Sequence, residues 1–139
     1  MPKPLSINLK NNLSTLPEGL REVISYLKDE KVAPHDINRT ELVLEELLSN
    51  TIKYGYRDNQ EHLIHLHITV WPQKLDITIR DDASPFDPRT ETNTNTNAPL
   101  ETRKIGGLGL LLVNKFTDDI DYHATPTSNH YTLTLLRND

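Results

Sequence analysis

Leu44-Glu45-Glu46-Leu47-Leu48-Ser49-Asn50-Thr51-Ile52-Lys53-Tyr54 is the stretch on which the reading of this chain turns. Leu42, Leu44, Leu47, Leu48 and Ile52 supply an apolar helical face, and Gly55 follows as a stop. Glu46 and Asn50 stand four residues apart, so a helix projects them from one side, and Lys53 three residues further on shares it. A carboxylate, an amide and an ammonium in that order suit a proton acceptor, a hard oxygen ligand for a cation such as Mg²⁺, and a counter-charge for phosphate. Taken alone, the same spacing also suits an ordinary solvated helix face. Glu45 is the neighbouring decoy, turned away from Glu46 by about 100° of helix rotation, and the spacing favours Glu46.

Working outward, Pro34 and Asp36 mark the start of this helix. An earlier helix is predicted from Leu16 to Val32, with Leu20, Val23, Ile24 and Leu27 at helical spacing and Ser14 or Thr15 as N-cap. Leu5 to Leu9 alternate as a first strand. Downstream, His62–Trp71 and Lys74–Arg80 alternate with period two around Pro72-Gln73 and predict a hairpin. Residues 83–104 carry Pro85, Pro88, Pro99 and the tract Thr92-Asn93-Thr94-Asn95-Thr96-Asn97, with no periodicity, and predict a long lid-like or binding loop. An apolar helix, Leu110–Phe116, and two strands near Asp121–Ala124 and His130–Leu136 close the chain. This order predicts an α+β fold: a two-layer sandwich in which helices cover one face of a mostly antiparallel, mixed sheet, as one domain over residues 1–139.

Two further clusters carry chemistry. Asp81-Asp82-Ala83-Ser84-Pro85-Phe86-Asp87-Pro88 follows directly on a strand; a carboxylate there can accept from an exocyclic amine, although Asp, Ser and Pro also make plain turns. Gly106, Gly107 and Gly109, three of the five glycines, stand before a helix, where bare backbone N–H groups and the dipole suit phosphate. Arg103 and Lys104 lie just ahead. Neither the Lys-Ser/Thr of a Walker loop nor the preceding strand of a dinucleotide fingerprint is present. His62, His65 and His67 share a strand and are read as its polar face in preference to a zinc site.

Composition narrows the function. The chain has 139 residues and no cysteine, which excludes disulfides, thiol catalysis and Cys-bound zinc. With 15 basic and 20 acidic residues the net charge is −5, which argues against nucleic acid as a partner. No apolar run is long enough to span a bilayer and the first residues lack a signal-like segment, so the expectation is a cytoplasmic protein with no membrane partner.

In order, Glu46-Leu-Leu-Ser-Asn50, Asp81-Asp-Ala-Ser-Pro-Phe-Asp-Pro88 and Ile105-Gly-Gly-Leu-Gly-Leu110 resemble the N, G1 and G2 boxes of the ATPase superfamily that holds gyrase, histidine kinases and MutL (the Bergerat ATP-binding fold). Within it, the chain looks most like bacterial anti-sigma-factor serine/threonine kinases. The resemblance implies ATP and Mg²⁺ as cofactors, Asn50 on the Mg²⁺ and Glu46 as general base. It implies Asp81 on the adenine amino group, and Gly106, Gly107, Leu108, Gly109 and Leu110 around the phosphates at the hinge of a lid over 84–105. Lys53, Arg103 and Lys104 would meet phosphates, and Ala83, Pro85, Phe86 and Thr132 would complete the nucleotide site. Ala83 departs from the family, which usually has Gly there. The implied reaction phosphorylates an anti-sigma-factor antagonist-like protein, with a sigma factor as second partner and a homodimer as the assembly. The alternatives are a non-catalytic ATP-binding module that sequesters a sigma factor, and a slow ATPase. The start of the chain at the domain's own first strand disfavours a complete histidine kinase, and its length disfavours a gyrase.

Overall fold

A computed structural model describes residues 2–89 and 107–138. Strand β1 (Leu5–Lys10) leads through a short 3₁₀ turn, Leu13–Thr15, into helix α1 (Leu16–Asp29) and helix α2 (Pro34–Tyr54). Strands β2 (Leu63–Val70) and β3 (Lys74–Asp81) form the expected hairpin. Helix α3 (Gly107–Phe116) precedes β4 (Asp119–Ala124) and β5 (Asn129–Leu136). The sheet order is β1-β2-β3-β5-β4, and every pairing among the described strands is antiparallel, so the parallel element implied by a mixed sheet is absent there.

Local chemistry explains the helix ends. Thr15 occupies the N-cap position of α1, but its hydroxyl donates to Asn12 O at 2.8 Å and accepts no helical N–H. α2 starts on Pro34, whose fixed φ is already helical and whose missing N–H is no loss in a first turn. Gly55 ends it, donating from its N–H to Thr51 O at 2.8 Å.

One core lies between the helices and the sheet. Val23 and Leu27 of α1, Val43, Leu44, Leu47 and Leu48 of α2, and Val113 of α3 meet inward residues of the strands, among them Ile64, Ile68, Leu75, Ile77, Leu133 and Leu135. Each fully buried side chain of this size contributes about 1.5–3 kcal/mol relative to exposure. The period-two pattern follows: along β5 residues alternate buried and open, with Asn129, Tyr131, Leu133 and Leu135 inward. The opposite face of the sheet is polar. At the far end of α2, buried Asp36 accepts from Asn138 N at 3.0 Å and pairs with Arg39 at 3.5 Å, holding the last strand's exit against the helix start.

Candidate functional site

β3 ends at Asp81 opposite Asn129 of β5, and both side chains point to the helical layer, only 3% and 1% exposed. Asn129 Nδ2 donates to Asp81 Oδ1 and to Ala83 O, each at 2.8 Å, while Ala83 N donates to Asp81 Oδ1 at 3.1 Å. The Asn129 carboxamide oxygen accepts from the Tyr122 hydroxyl at 2.6 Å, and that hydroxyl accepts from Phe86 N at 3.2 Å. Tyr131 donates to Phe86 O at 3.1 Å. The turn from Asp81 to Phe86 is thus fastened at both ends. Asp81 Oδ2 is the exception: it is buried and has no donor among the described residues. Burial pushes the Asp81 carboxyl above its usual range, against the pull of the Asn129 and Ala83 donors. A buried acceptor left without a donor costs about 1–3 kcal/mol, which a ligand bearing an N–H can relieve.

The turn docks on the end of α2. Ser84 N donates to Gly55 O at 2.8 Å. A Cβ at Gly55 would stand 2.6 Å from Thr51 O and 2.7 Å from the Ala83 methyl, so Gly55 is needed for this approach. The methyl that Ala83 carries in place of the family's usual glycine therefore packs over a glycine on the partner segment. Between them opens a cavity of about 220 Å³ lined by Asn50, Thr51, Tyr54, Ala83, Pro85 and Phe86 among others. Asn50 is 8% exposed and its carboxamide has no hydrogen-bond partner among the described residues.

The expected residues divide into groups. Asn50, Ala83, Pro85 and Phe86 line one cavity, with Asp81 directly behind Ala83. Glu46 and Lys53 line a neighbouring groove, shared with Leu13, Pro17, Arg21 and Ser49 at the α1 side of α2. The expected single row of Glu46, Asn50 and Lys53 is thus split across a ridge, because Asn50 points past the helix edge toward the turn. Two of the expected residues lie apart from this cavity. Thr132 is exposed on the outward face of β5, while Asn129, on its inward face, bonds Asp81. Leu110 is 2% exposed and belongs to the core, with no side-chain surface for a ligand. Gly107 opens α3, three residues before the predicted start, which puts Leu108 and Gly109 in its first turn. Arg103, Lys104, Gly106 and most of the expected lid lie outside the described residues; the part described, up to Arg89, is held by Asp87 at 2.8 Å, by Asp121 at 3.2 Å and, at Pro88 O, by Asn114 at 3.1 Å.

Sequence reasoning missed a second cluster beside the turn. His62 precedes β2 instead of belonging to it, and its ring lies 2.9 Å from both Asp82 and Asp58 while stacking on Tyr56 at 4.6 Å. The hydrogen bond to Asp82, then that to Asp58, raises the His62 pKa above its ordinary value; His62 in turn lowers Asp58. Burial and the nearby Asp81 and Asp82 charges push the Tyr56 hydroxyl far up. Parity along β5 gave a signal for Tyr131, since it shares a side with Leu133 and Leu135. Asn129 gave none, because a short polar residue at a strand end looks like a turn residue, and Tyr122 and His62 gave none, because their partners are distant in sequence or lie in a turn.

The comparisons with known proteins agree with this arrangement. A family profile described as a histidine kinase-like ATPase domain matches residues 9–135. The serine-protein kinase RsbW of Listeria monocytogenes is 24% identical over 88 residues, covering 60% of this chain and 56% of that protein. The proteins of the same name from Staphylococcus aureus and Staphylococcus epidermidis are 24% and 28% identical, over 66% and 61% of this chain and 60% and 57% of theirs. The chain thus spans little more than half the length of these relatives. Among solved structures, the Acinetobacter baumannii histidine kinase AdeS superposes with TM-score 0.52 at 15% identity, covering 96% of this chain and 68% of that one. The histidine kinase domain of a blue-light-activated kinase from Erythrobacter litoralis gives 0.51 at 16% identity, over 72% and 44%. These two establish the fold. No helix among the described residues is long and apolar enough to cross a membrane. With the family profile spanning nearly the whole sheet and its helices, the chain belongs to the histidine kinase-like ATPase domain family.

Proposed function

We propose that the cavity between α2 and the 81–86 turn holds ATP with Mg²⁺, and that the protein transfers the γ-phosphoryl group to a serine or threonine hydroxyl of a partner protein. The observation that carries this reading is the buried, donorless Asp81 Oδ2 beside a cavity whose other wall offers the unpaired Asn50 amide. Asp81 is the acceptor for the exocyclic amine of adenine. The Asn50 carboxamide oxygen is a hard donor that fits Mg²⁺, and the ion, when bound, neutralises phosphate oxygens. Lys53, with Arg103 and Lys104, supplies positive charge toward the phosphates, and the amides of Gly106, Gly107 and Gly109 cradle them. Glu46 takes the proton of the attacking hydroxyl as the new O–P bond forms and the bond to the ADP oxygen breaks.

The name shared by the relatives, serine-protein kinase, supports a protein hydroxyl as acceptor. The partner we infer is an anti-sigma-factor antagonist-like protein, with a sigma factor as second partner, and a cytoplasmic homodimer of one-domain subunits as the working form. The separation of Glu46 from the cavity of Asn50 favours a second reading, a non-catalytic ATP-binding module that sequesters its partner. Radiolabelled ATP with Mg²⁺ and a lysate of the source organism separates the two. A kinase labels a protein on serine or threonine and loses that labelling in Glu46→Gln while still binding ATP. ATP binding with no labelled protein selects the module.

A further inference from the structure

The face of the sheet turned away from the helices carries a second, unassigned constellation. The strand register puts Asn8, His65, Arg80, His130 and His123 in one cross-strand row spanning all five strands: Asn8 opposite His65, His65 opposite Arg80, Arg80 opposite His130, and His130 opposite His123. Directly opposed side chains on one face stand about 4.5–5.5 Å apart at Cβ, so this is a continuous line of one guanidinium and three imidazoles. The next row, one pleat along, is Ser6, His67, Thr78, Thr132 and Asp121. The β1, β2, β3 and β5 members of both rows line a shallow depression of about 450 Å³, with His65, Arg80 and His130 along one side and His67, Thr78 and Thr132 along the other.

Charge makes this patch unusual in a chain of net charge −5. Nearby carboxylates are engaged elsewhere: Asp121 with Arg89 at 3.2 Å, Asp76 with Lys74 at 3.6 Å, Asp82 with His62 at 2.9 Å, and Glu61 with Lys10 at 3.6 Å. Asp119 lies two rows away at the sheet edge. Arg80 is exposed and has no acidic partner among the described residues. The imidazoles are already oriented. His65 Nδ1 is bonded to Asn8 Oδ1, which fixes the ring on the open face of the sheet and leaves Nε2 outside that bond. His130 Nε2 is bonded to Ser128 Oγ at 2.8 Å, and its ring lies 6.0 Å from that of His123.

We propose that this depression is a binding site for a phosphate monoester or free phosphate, with Arg80 as the central fork, His65 and His130 flanking it, and the Thr78 and Thr132 hydroxyls closing one side. Tetrahedral oxyanions accept from several directions at once, and a guanidinium set among hydroxyls and imidazoles offers that arrangement. The site faces away from the cavity beside Asp81 and does not depend on nucleotide.

The test is NMR of the histidine ring protons in the full chain, titrated with inorganic phosphate, with a phosphoserine tripeptide, with the same peptide unphosphorylated, and with sodium chloride. The expected result is saturable shifts at His65 and His130 with the two phosphate compounds only. Tighter binding of the peptide assigns the site to a phosphorylated protein, and equal binding to free phosphate. Arg80→Gln weakens it about tenfold or more, the loss expected on removing a charged hydrogen-bonding partner, and leaves ATP affinity unchanged. Thr132→Val provides a second, milder loss if Arg80→Gln fails to fold. Shifts matched by chloride at equal ionic strength, shifts that survive Arg80→Gln, or tighter binding of a single-stranded RNA than of the phosphopeptide would each overturn the proposal.

Discussion

The two ends of the proposed nucleotide site are built in different ways. At the Asp81 end, two strand termini, a turn and two tyrosines meet in a closed polar network, and a single carboxylate oxygen is left over. At the Glu46 end, one helix carries half-buried Glu46 and exposed Lys53; the Ser49 hydroxyl donates to the Glu46 backbone carbonyl at 3.3 Å, and neither the Glu46 carboxylate nor the Lys53 ammonium has a partner among the described residues. The difference follows from physics. Reading the edge of a base needs an acceptor held still in low dielectric, which only tertiary packing provides. Meeting mobile phosphates and an incoming hydroxyl needs charge within reach, which helix spacing provides.

That contrast can be broken by substitution. The largest effect belongs to the open end: Glu46→Gln lowers phosphotransfer to the partner by about 10²–10⁴-fold with nucleotide affinity and thermal stability unchanged. Equal activity in the variant would take the base role from Glu46. At the closed end the losses are in stability. Asn129→Ala removes two donors and the acceptor for Tyr122, and is expected to cost about 1–3 kcal/mol in denaturant unfolding, with the Asp81 carboxyl titrating higher still. Gly55→Ala forces the turn off α2 against a 2.7 Å contact with Ala83. It should cost about 1–3 kcal/mol as an overpacked contact and weaken ATP binding along with it.

The smallest effect is pH-dependent and lies between the two ends. His62 has a folded pKa above its ordinary 6.5, so its contribution is complete below that value and is lost as pH rises through the folded pKa. Asp58 is shifted down, so its contribution is held above 3.8 and lost as pH falls through its lowered value. Thermal midpoints of the wild type and His62→Gln should therefore differ most in mildly acidic solution and converge toward alkaline pH. A gap that widens with rising pH would contradict the bonding of His62 to Asp58 and Asp82.

How much of this was legible in the sequence follows the same division. Periodicity found both long helices, the hairpin and the final strand, because their apolar faces repeat at 3.6 or 2 residues. It put Asn50, Asp81 and the glycines in view, since helix spacing and motif order are local properties. Thr132 stands on the outward face of β5 and its neighbour Tyr131 on the inward face, because successive residues of a strand take opposite faces. Leu110 entered the expected site through the glycine motif alone, and a motif does not say which of its leucines the core will take. The network through Asn129, Tyr122 and Tyr131 joins positions about 50 residues from Asp81, and no pattern within a strand announces such pairing. The described strands pair antiparallel throughout: two hairpins join β2 to β3 and β4 to β5, while β1 and β5 reach β2 and β3 through longer connections that no local pattern reveals.

The central claim is that Asp81 Oδ2 waits for an amine. Calorimetric titration of the wild type with ATP and with inosine triphosphate, each with Mg²⁺, tests it directly, because the second nucleotide replaces the amine by a carbonyl. The account predicts ATP binding about tenfold or more tighter, a gap that closes in Asp81→Asn. Equal affinities for the two nucleotides in the wild type, or binding of neither, would contradict it.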